Sequence, residues 1–387
     1  MEAMFPDVVV IGGGIIGACC AYYLSQEGLN VHLVERGGIA SGCSGACQFG
    51  IGHINTGIGR DLTVASGRLY TSLAEQLPLD IEYDRVGNIY IADSPKGMRA
   101  LERTAQLVQS AGMRCHLLRG KELLDVEPHL SPELVGGLFF PDDAKVQPIL
   151  ATLAFVKAAK ERGATIHTFT EVTGIELSTS KAVAAVHTTN GRIPTKIVVN
   201  AAGAWSALIG RMVGIEIPIV PRKGHIVVTE PVPPMIRTYL LDASYFEAVE
   251  EDRQALAVAM VLGQTRSGNI LLGSSRQFVG FDRSVDHEVI HAMITRCLRF
   301  LPALANIHAI RIYAGLRPYT PDLLPIIDEA DEVPGFYIAA GHEGEGITMG
   351  PITGKLISQM ITGQELDLPV EELSLSRFAQ VESSVQV

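Results

Sequence analysis

The tightest constraint on this chain lies at residues 7–35. DVVVI (7–11) is an unbroken β-branched run with no polar alternation, the pattern of a strand covered on both faces. Gly12-x-Gly14-x-x-Gly17 follows it and opens a segment whose apolar positions Ile16, Cys20, Tyr23 and Leu24 keep helical spacing as far as Gly28. VHLVE (31–35) then reads as a second strand that ends on Glu35. Strand, glycine-opened helix and strand make a βαβ start. The first glycine permits the tight turn, the second lets a pyrophosphate approach the backbone, and the third lets helix and strand pack closely. The helix N-terminus offers free N–H groups and a positive dipole end to the phosphates. Glu35 stands where an acid takes the ribose hydroxyls, and its charge disfavours NADP. The expected dinucleotide contacts are Gly12, Gly14, Ile15, Ile16, Gly17, Glu35 and Arg36. At this point FAD and NAD, which share an ADP half, are not separated.

Composition narrows what surrounds that unit. At about 150 residues per domain, 387 residues allow two domains or one large interleaved body. Hydrophobic residues at 47% against 19% charged exclude disorder, because so apolar a chain offsets its ordering entropy by burial. A net charge of −11 argues against nucleic acid, which selects basic surfaces. No apolar stretch approaches the roughly 20 residues of a membrane span. The opening MEAMFPD has no signal-peptide pattern. A cytoplasmic protein is expected, reaching the inner face of a membrane only through partners. Cys19 and Cys20 are adjacent within a helix pattern, so the cysteines form no disulfide framework. Cys43-x3-Cys47 lacks a second ligand pair, and no metal is expected.

Further along, 96–111, 149–162 and 286–301 read as helices and 87–92, 166–177 and 196–203 as strands. GHIVVTE (224–230) is a strand. LAVAMVL (256–262) and ILLGSS (270–275) form a hairpin through Ser267-Gly268-Asn269. The last element, 347–363, is a helix opened by a glycine-rich loop. Such a loop aims unpaired N–H groups at one point, where they can stabilise developing negative charge.

The pattern Gly12 to Glu35 continues into ASGCSGAC (40–47), NAAGAWS (200–206), the basic turn PRKGH (221–225), AGLRPYTPD (314–322) and AGHEGEGITMGPITGKL (340–356). In this order over nearly the whole chain, these segments resemble the FAD-dependent D-amino-acid oxidase and glycine oxidase superfamily. ASGCSGAC and GHEGEGI most resemble the catalytic subunits of heteromeric dye-linked dehydrogenases of proline, D-hydroxyproline or opines. Glycine oxidase and the hydrogen cyanide synthase subunit are also similar. The resemblance implies an α/β fold, a Rossmann-like FAD-binding domain interleaved with an α+β substrate domain on a mostly antiparallel sheet. The FAD-binding domain would comprise 1–83, 143–223 and 312–387, the substrate domain 84–142 and 224–311.

The resemblance further implies that Ser41, Ser44, Gly45 and Ala46 wrap the FAD pyrophosphate and ribityl chain. Val172 would meet the adenine through its backbone, and Ala202, Gly203 and Gly315 would lie along the cofactor. Gly341, His342, Glu343, Gly344, Glu345, Gly346, Ile347 and Thr348 would contact the isoalloxazine. Arg317 matches the arginine that grips the substrate carboxylate, a task suited to its planar fork. Two weaker candidates are His53, beyond the small-residue loop, and His225, after the basic turn. Glu343 and Glu345 could orient a cationic substrate amine or a partner surface, and Trp205 reads as packing on the nucleotide arm. One departure stands out: in glycine oxidase a tyrosine assists the arginine, and Val261 takes that register here. Residues 243–256 read as extra sequence near that strand.

The expected activity is oxidation of an α-amino acid or secondary amine by hydride transfer to the flavin. The resemblance implies that partner subunits carrying FMN or an iron–sulfur centre would accept the electrons; this chain shows no cysteine cluster of its own for such a centre. The alternatives are an oxygen-using glycine or D-amino-acid oxidase, a hydrogen cyanide synthase-like subunit, and a non-catalytic flavin-binding assembly subunit.

Overall fold

A computed structural model describes residues 5–52, 56–244 and 256–378. A six-stranded sheet runs in the order Ile326–Glu329, Phe336–Ala340, Ile197–Asn200, Val8–Ile11, Val31–Val34, Thr165–His167. Val8–Ile11 is parallel to both neighbours, and Val8, Val9 and Val10 are completely buried, which is why the run carries no polar alternation. Among the described residues, the one antiparallel pairing in this sheet joins Ile326–Glu329 to Phe336–Ala340.

The helix Ile15–Gln26 lies against the sheet and packs on the last helix, Gly346–Thr362. They touch backbone to backbone: a Cβ on Gly354 would sit 2.5 Å from the Cys19 carbonyl carbon. Cys19 and Cys20 are thus small, buried packing residues. On the other face a three-stranded sheet, Val172–Leu177, Val183–Thr188 and Gly191–Pro194, shares a core with Val9, Val198 and Ile338.

The second sheet has eight strands in the order Ala309–Tyr319, Val220–Pro231, Asn269–Arg276, Ala257–Gln264, Tyr239–Asp242, Asn88–Ala92, Gly136–Phe140, His116–Arg119. Its pairings are antiparallel except for Tyr239–Asp242 beside Asn88–Ala92. Helix His287–Phe300, capped by the Asp286 carboxylate on the N–H groups of Glu288 and Val289, covers part of one face. Among the described residues no helix is long and apolar enough to cross a membrane.

Three expectations change. The strand expected at 166–177 is two strands in different sheets, Thr165–His167 and Val172–Leu177. Between them Phe169 takes a φ of 51°, its N–H donating to Gly37 O and that of Thr170 to Glu35 O, so the chain folds around the end of the second strand. PRKGH is no turn but part of the first half of the strand Val220–Pro231, paired residue by residue with Ala309–Tyr319. Both of these strands run through the expected boundaries at 223/224 and 311/312. Finally, the helix Gly57–Gln76 has no counterpart in the sequence reading. His53 and residues 245–255 lie outside the described residues.

Candidate active site

A cavity of about 770 Å³ is lined by residues of both large sheets, within the range of small-molecule and cofactor sites. One end is made of backbone. Gly12 has a φ of 115°, and a Cβ on it would lie 2.4 Å from Ala201 O. On Gly17 a Cβ would lie 1.9 Å from Gly12 O. Gly17 therefore stays out of the cavity and serves the turn, while Gly12, Gly14, Ile15 and Ile16 line it. The Ser44 hydroxyl accepts the Ile15 N–H at 2.9 Å, tying the small-residue loop to the helix start. Glu35 accepts the N–H groups of Gly13 and Gly37, each at 2.7 Å. Beside it Arg36 lies over the Trp205 ring, 3.9 Å from the centroid, and Trp205 stacks on Phe281.

Ser41, Ser44, Ala46, Val172, Ala202, Gly203 and Gly315 also face the cavity. Gly45 does not. It closes its own turn, where a Cβ would meet Ala40 O at 2.2 Å. His342, Glu343, Gly344, Glu345, Gly346 and Ile347 line the cavity, whereas Gly341 and Thr348 stand behind it. Gly341, at a φ of 89°, packs on Thr320.

His342 is 2% exposed, and its Nε2 lies 2.9 Å from the Thr353 hydroxyl, which anchors the ring. Burial drives its pKa down to about 3, so the ring is neutral, and its Nδ1 is buried without a hydrogen bond among the described residues. Asn88 Oδ1, on another cavity-lining residue, is buried in the same way. Buried polar atoms left open in a cavity point to a ligand that pairs with them, because burying them unpaired is costly. With the side-chain-free Gly12–Gly14 turn at the other end, these residues fit an FAD. Burial, with Glu343 nearby, pushes the Glu345 carboxyl up to about 7.

The other end is made of side chains. Arg317 lies on the cavity wall, its Nη1 donating to Ser275 O at 3.0 Å. Its guanidinium lies flat over Gly224, where a Cβ would come within 2.2 Å of Nη1. One edge of the fork is thereby held, and the other is available to a carboxylate. The Glu343 carboxylate sits between Arg317, Arg222 and Arg276. Burial alone would raise its pKa, but the three guanidinium groups, Arg276 foremost, hold it below the ordinary value.

His225 is not brought to the cavity. Gly224 and Ile226 face the cavity, so the alternation of the strand turns His225 to the opposite side. There it is fully buried, with Nδ1 2.9 Å from the Ser275 hydroxyl and Nε2 accepting the Asp286 N–H at 3.2 Å. Both ring nitrogens are engaged in holding strands and a helix start together. Val261 does line the cavity, where no hydroxyl can assist Arg317. Sequence reasoning missed Gln48, Asn88, Tyr90 and Tyr239. The Tyr239 hydroxyl donates to Gln48 Oε1 at 2.9 Å, and Gln48 Nε2 reaches Val261 O at 3.2 Å. Tyr90 and Tyr239 sit in short strands buried throughout, Asn88–Ala92 and Tyr239–Asp242, so no alternation marks which of their residues meets a ligand.

A Rossmann-like nucleotide fold joined to a large, mostly antiparallel sheet, with a glycine turn and an arginine on one cavity, defines a flavin-dependent oxidoreductase. The chain belongs to the DAO family of FAD dependent oxidoreductases, whose model matches residues 7–360. It is similar to the hydrogen cyanide synthase subunit HcnC of Pseudomonas aeruginosa, 29% identical over 425 residues, 98% of each chain. It is likewise similar to the glycine oxidase of Geobacillus kaustophilus, 29% identical over 381 residues, 96% of this chain and 97% of that one. The crystal structure of L-proline dehydrogenase from P. horikoshii superimposes with a TM-score of 0.89 at 30% identity, covering 97% of this chain and 98% of that one.

Proposed function

We propose that this chain oxidises an α-amino acid or secondary amine of the proline, hydroxyproline or opine type, as the catalytic subunit of a heteromeric dehydrogenase. The observation that carries this reading is Arg317, held flat on the wall of the same cavity whose far end is the glycine turn. Cofactor and carboxylate would share one chamber. The likeness to L-proline dehydrogenase over nearly the whole of both chains supports the donor class.

In this reading Gly12, Gly14, Ile15 and Ile16 take the pyrophosphate at the helix start, and Glu35 exchanges its backbone partners for ribose hydroxyls. Ser41, Ser44 and Ala46 follow the ribityl chain, Val172 meets the adenine, and residues 342–347 hold the isoalloxazine. Bound FAD supplies the acceptor for the hydride that leaves the α-carbon. The chain does the rest by placement. Arg317 fixes the carboxylate through the open edge of its fork, which turns the α-carbon to one side and makes the encounter effectively intramolecular. Val261, Tyr90 and Tyr239 wall the pocket. A substrate that binds as the free amine needs no dedicated base. Partner subunits would carry the FMN or iron–sulfur centre that accepts the electrons.

A second reading, an oxygen-using glycine oxidase or hydrogen cyanide synthase-like subunit, is favoured by the end-to-end likeness to HcnC and glycine oxidase. Retention of Arg317 on the cavity argues against a non-catalytic assembly role. The test mixes the purified chain anaerobically with glycine, sarcosine, both enantiomers of proline and hydroxyproline, and opines. Bleaching of the flavin by a proline- or opine-type donor is expected, and turnover with a dye but not with oxygen. Reduction by glycine alone, followed by reoxidation with oxygen, establishes the second reading, and no reduction by any donor defeats both.

A further inference from the structure

We propose that Glu343 is a built-in counter-ion that sets how tightly Arg317 holds a substrate carboxylate. This rests on the carboxylate role of Arg317 proposed above. Three adjacent strands each bring one arginine to the same carboxylate: Arg317 from Ala309–Tyr319, Arg222 opposite it on Val220–Pro231, and Arg276 at the end of Asn269–Arg276. Glu343 Oε1 lies 3.9 Å from Arg317 Nε, 3.5 Å from Arg222 Nη1 and 3.7 Å from Arg276 Nε. Arg222 and Arg276 are 2% and 1% exposed and stand behind the cavity wall, whereas Arg317 is on it. Glu343 itself is held from the backbone side. Its φ is 44°, and its N–H donates to Pro318 O at 3.0 Å, next to Arg317.

These separations exceed hydrogen-bond length, so Glu343 acts on the row through charge. In a buried site that charge is felt strongly. A carboxylate arriving at Arg317 meets a second carboxylate, Glu343, beside the same guanidinium. Without it, the incoming group would face three guanidinium groups lacking that counter-charge. The imino- or keto-acid product carries the same carboxylate as the substrate and would be retained just as firmly. Because this carboxylate does not change during the reaction, weakening its hold costs nothing in the chemical step and eases product release. Glu343 is therefore a positioning residue that works through Arg317.

The holoenzyme is titrated with cyclopentanecarboxylate, which has no amine to oxidise, and binding is followed by the flavin spectrum. Glu343→Gln preserves shape and is expected to tighten the Kd roughly tenfold, as removal of a like charge several ångströms away should. Adding Arg317→Met should abolish that gain. An unchanged or weaker Kd in Glu343→Gln, or tightening that survives without Arg317, overturns the inference. If the Gln variant fails to retain FAD, Glu343→Asp draws the charge back by one methylene and should tighten the probe two- to threefold, with no change or weakening again overturning it. No turnover is involved, so an error in the donor class leaves the result readable. If Arg317→Met alone does not weaken the probe, the carboxylate role of Arg317 fails, and this inference with it.

Discussion

The two ends of the cavity are built from different materials. At the nucleotide end the turn is main chain, and what matters about Gly12, Gly14 and Gly17 is the absence of a side chain. At the arginine end the guanidinium groups of residues 222, 276 and 317 converge on one carboxylate oxygen, that of Glu343. A backbone site is fixed by steric exclusion, which permits almost no substitution. A side-chain site is fixed by charge balance, which permits graded change. The first should therefore fail completely when altered, and the second should shift in affinity while the fold persists.

The largest expected effect is at Gly17. Its Cβ would lie 1.9 Å from Gly12 O, a backbone atom that cannot swing away, so Gly17→Ala must push the first helix off the strand. Purified Gly17→Ala is expected to lose its FAD, read as the flavin-to-protein ratio, and to melt well below the parent. A variant that keeps a full complement of flavin would show that the turn is more compliant than its geometry implies. Arg317→Met comes next. Loss of a charge-assisted carboxylate contact is expected to lower kcat/KM by about a hundredfold or more, while the flavin ratio and melting stay near the parent values. Should FAD be lost together with activity, the two ends are not separable and the contrast between them breaks.

The same difference explains what the sequence disclosed. Val8–Ile11, Ile15–Gln26 and Val31–Val34 fall within a few residues of the expected elements, because a βαβ turn is encoded in about thirty consecutive residues. The arginine row is encoded nowhere locally. Arg317 was found through its GLRP neighbours, but Arg222 sat in a segment read as a turn, and its place depends on pairing with a strand almost a hundred positions away. Arg276 had no signal at all. The helix Gly57–Gln76 did have one, in Ile58, Leu62, Ser66, Tyr70 and Leu73 at spacings of four and three. Its glycines, serines and threonines gave weak propensity, and burial of that stripe against the last helix overrides them.

The smallest expected effect lies where the two materials meet, at Glu345. It precedes the last helix, lines the cavity, and has its carboxyl pushed up to about 7 by burial. The folded pKa is above the unfolded one, so between roughly pH 4.3 and 7 the native state holds a proton that the unfolded chain has released. This contribution to stability is fully present below the unfolded value and is lost as pH rises through the folded one. The slope for one such proton is at most about 1.4 kcal/mol per pH unit, and the partial access of water to Glu345 reduces it. Glu345→Gln should flatten the decline of the holoenzyme melting temperature between pH 5 and 7 and leave its value at pH 5 nearly unchanged. An equally steep decline in the variant would place the Glu345 titration below that window. It would also mean that the N–H groups and dipole at the start of the last helix, a backbone feature, prevail over side-chain burial at this junction.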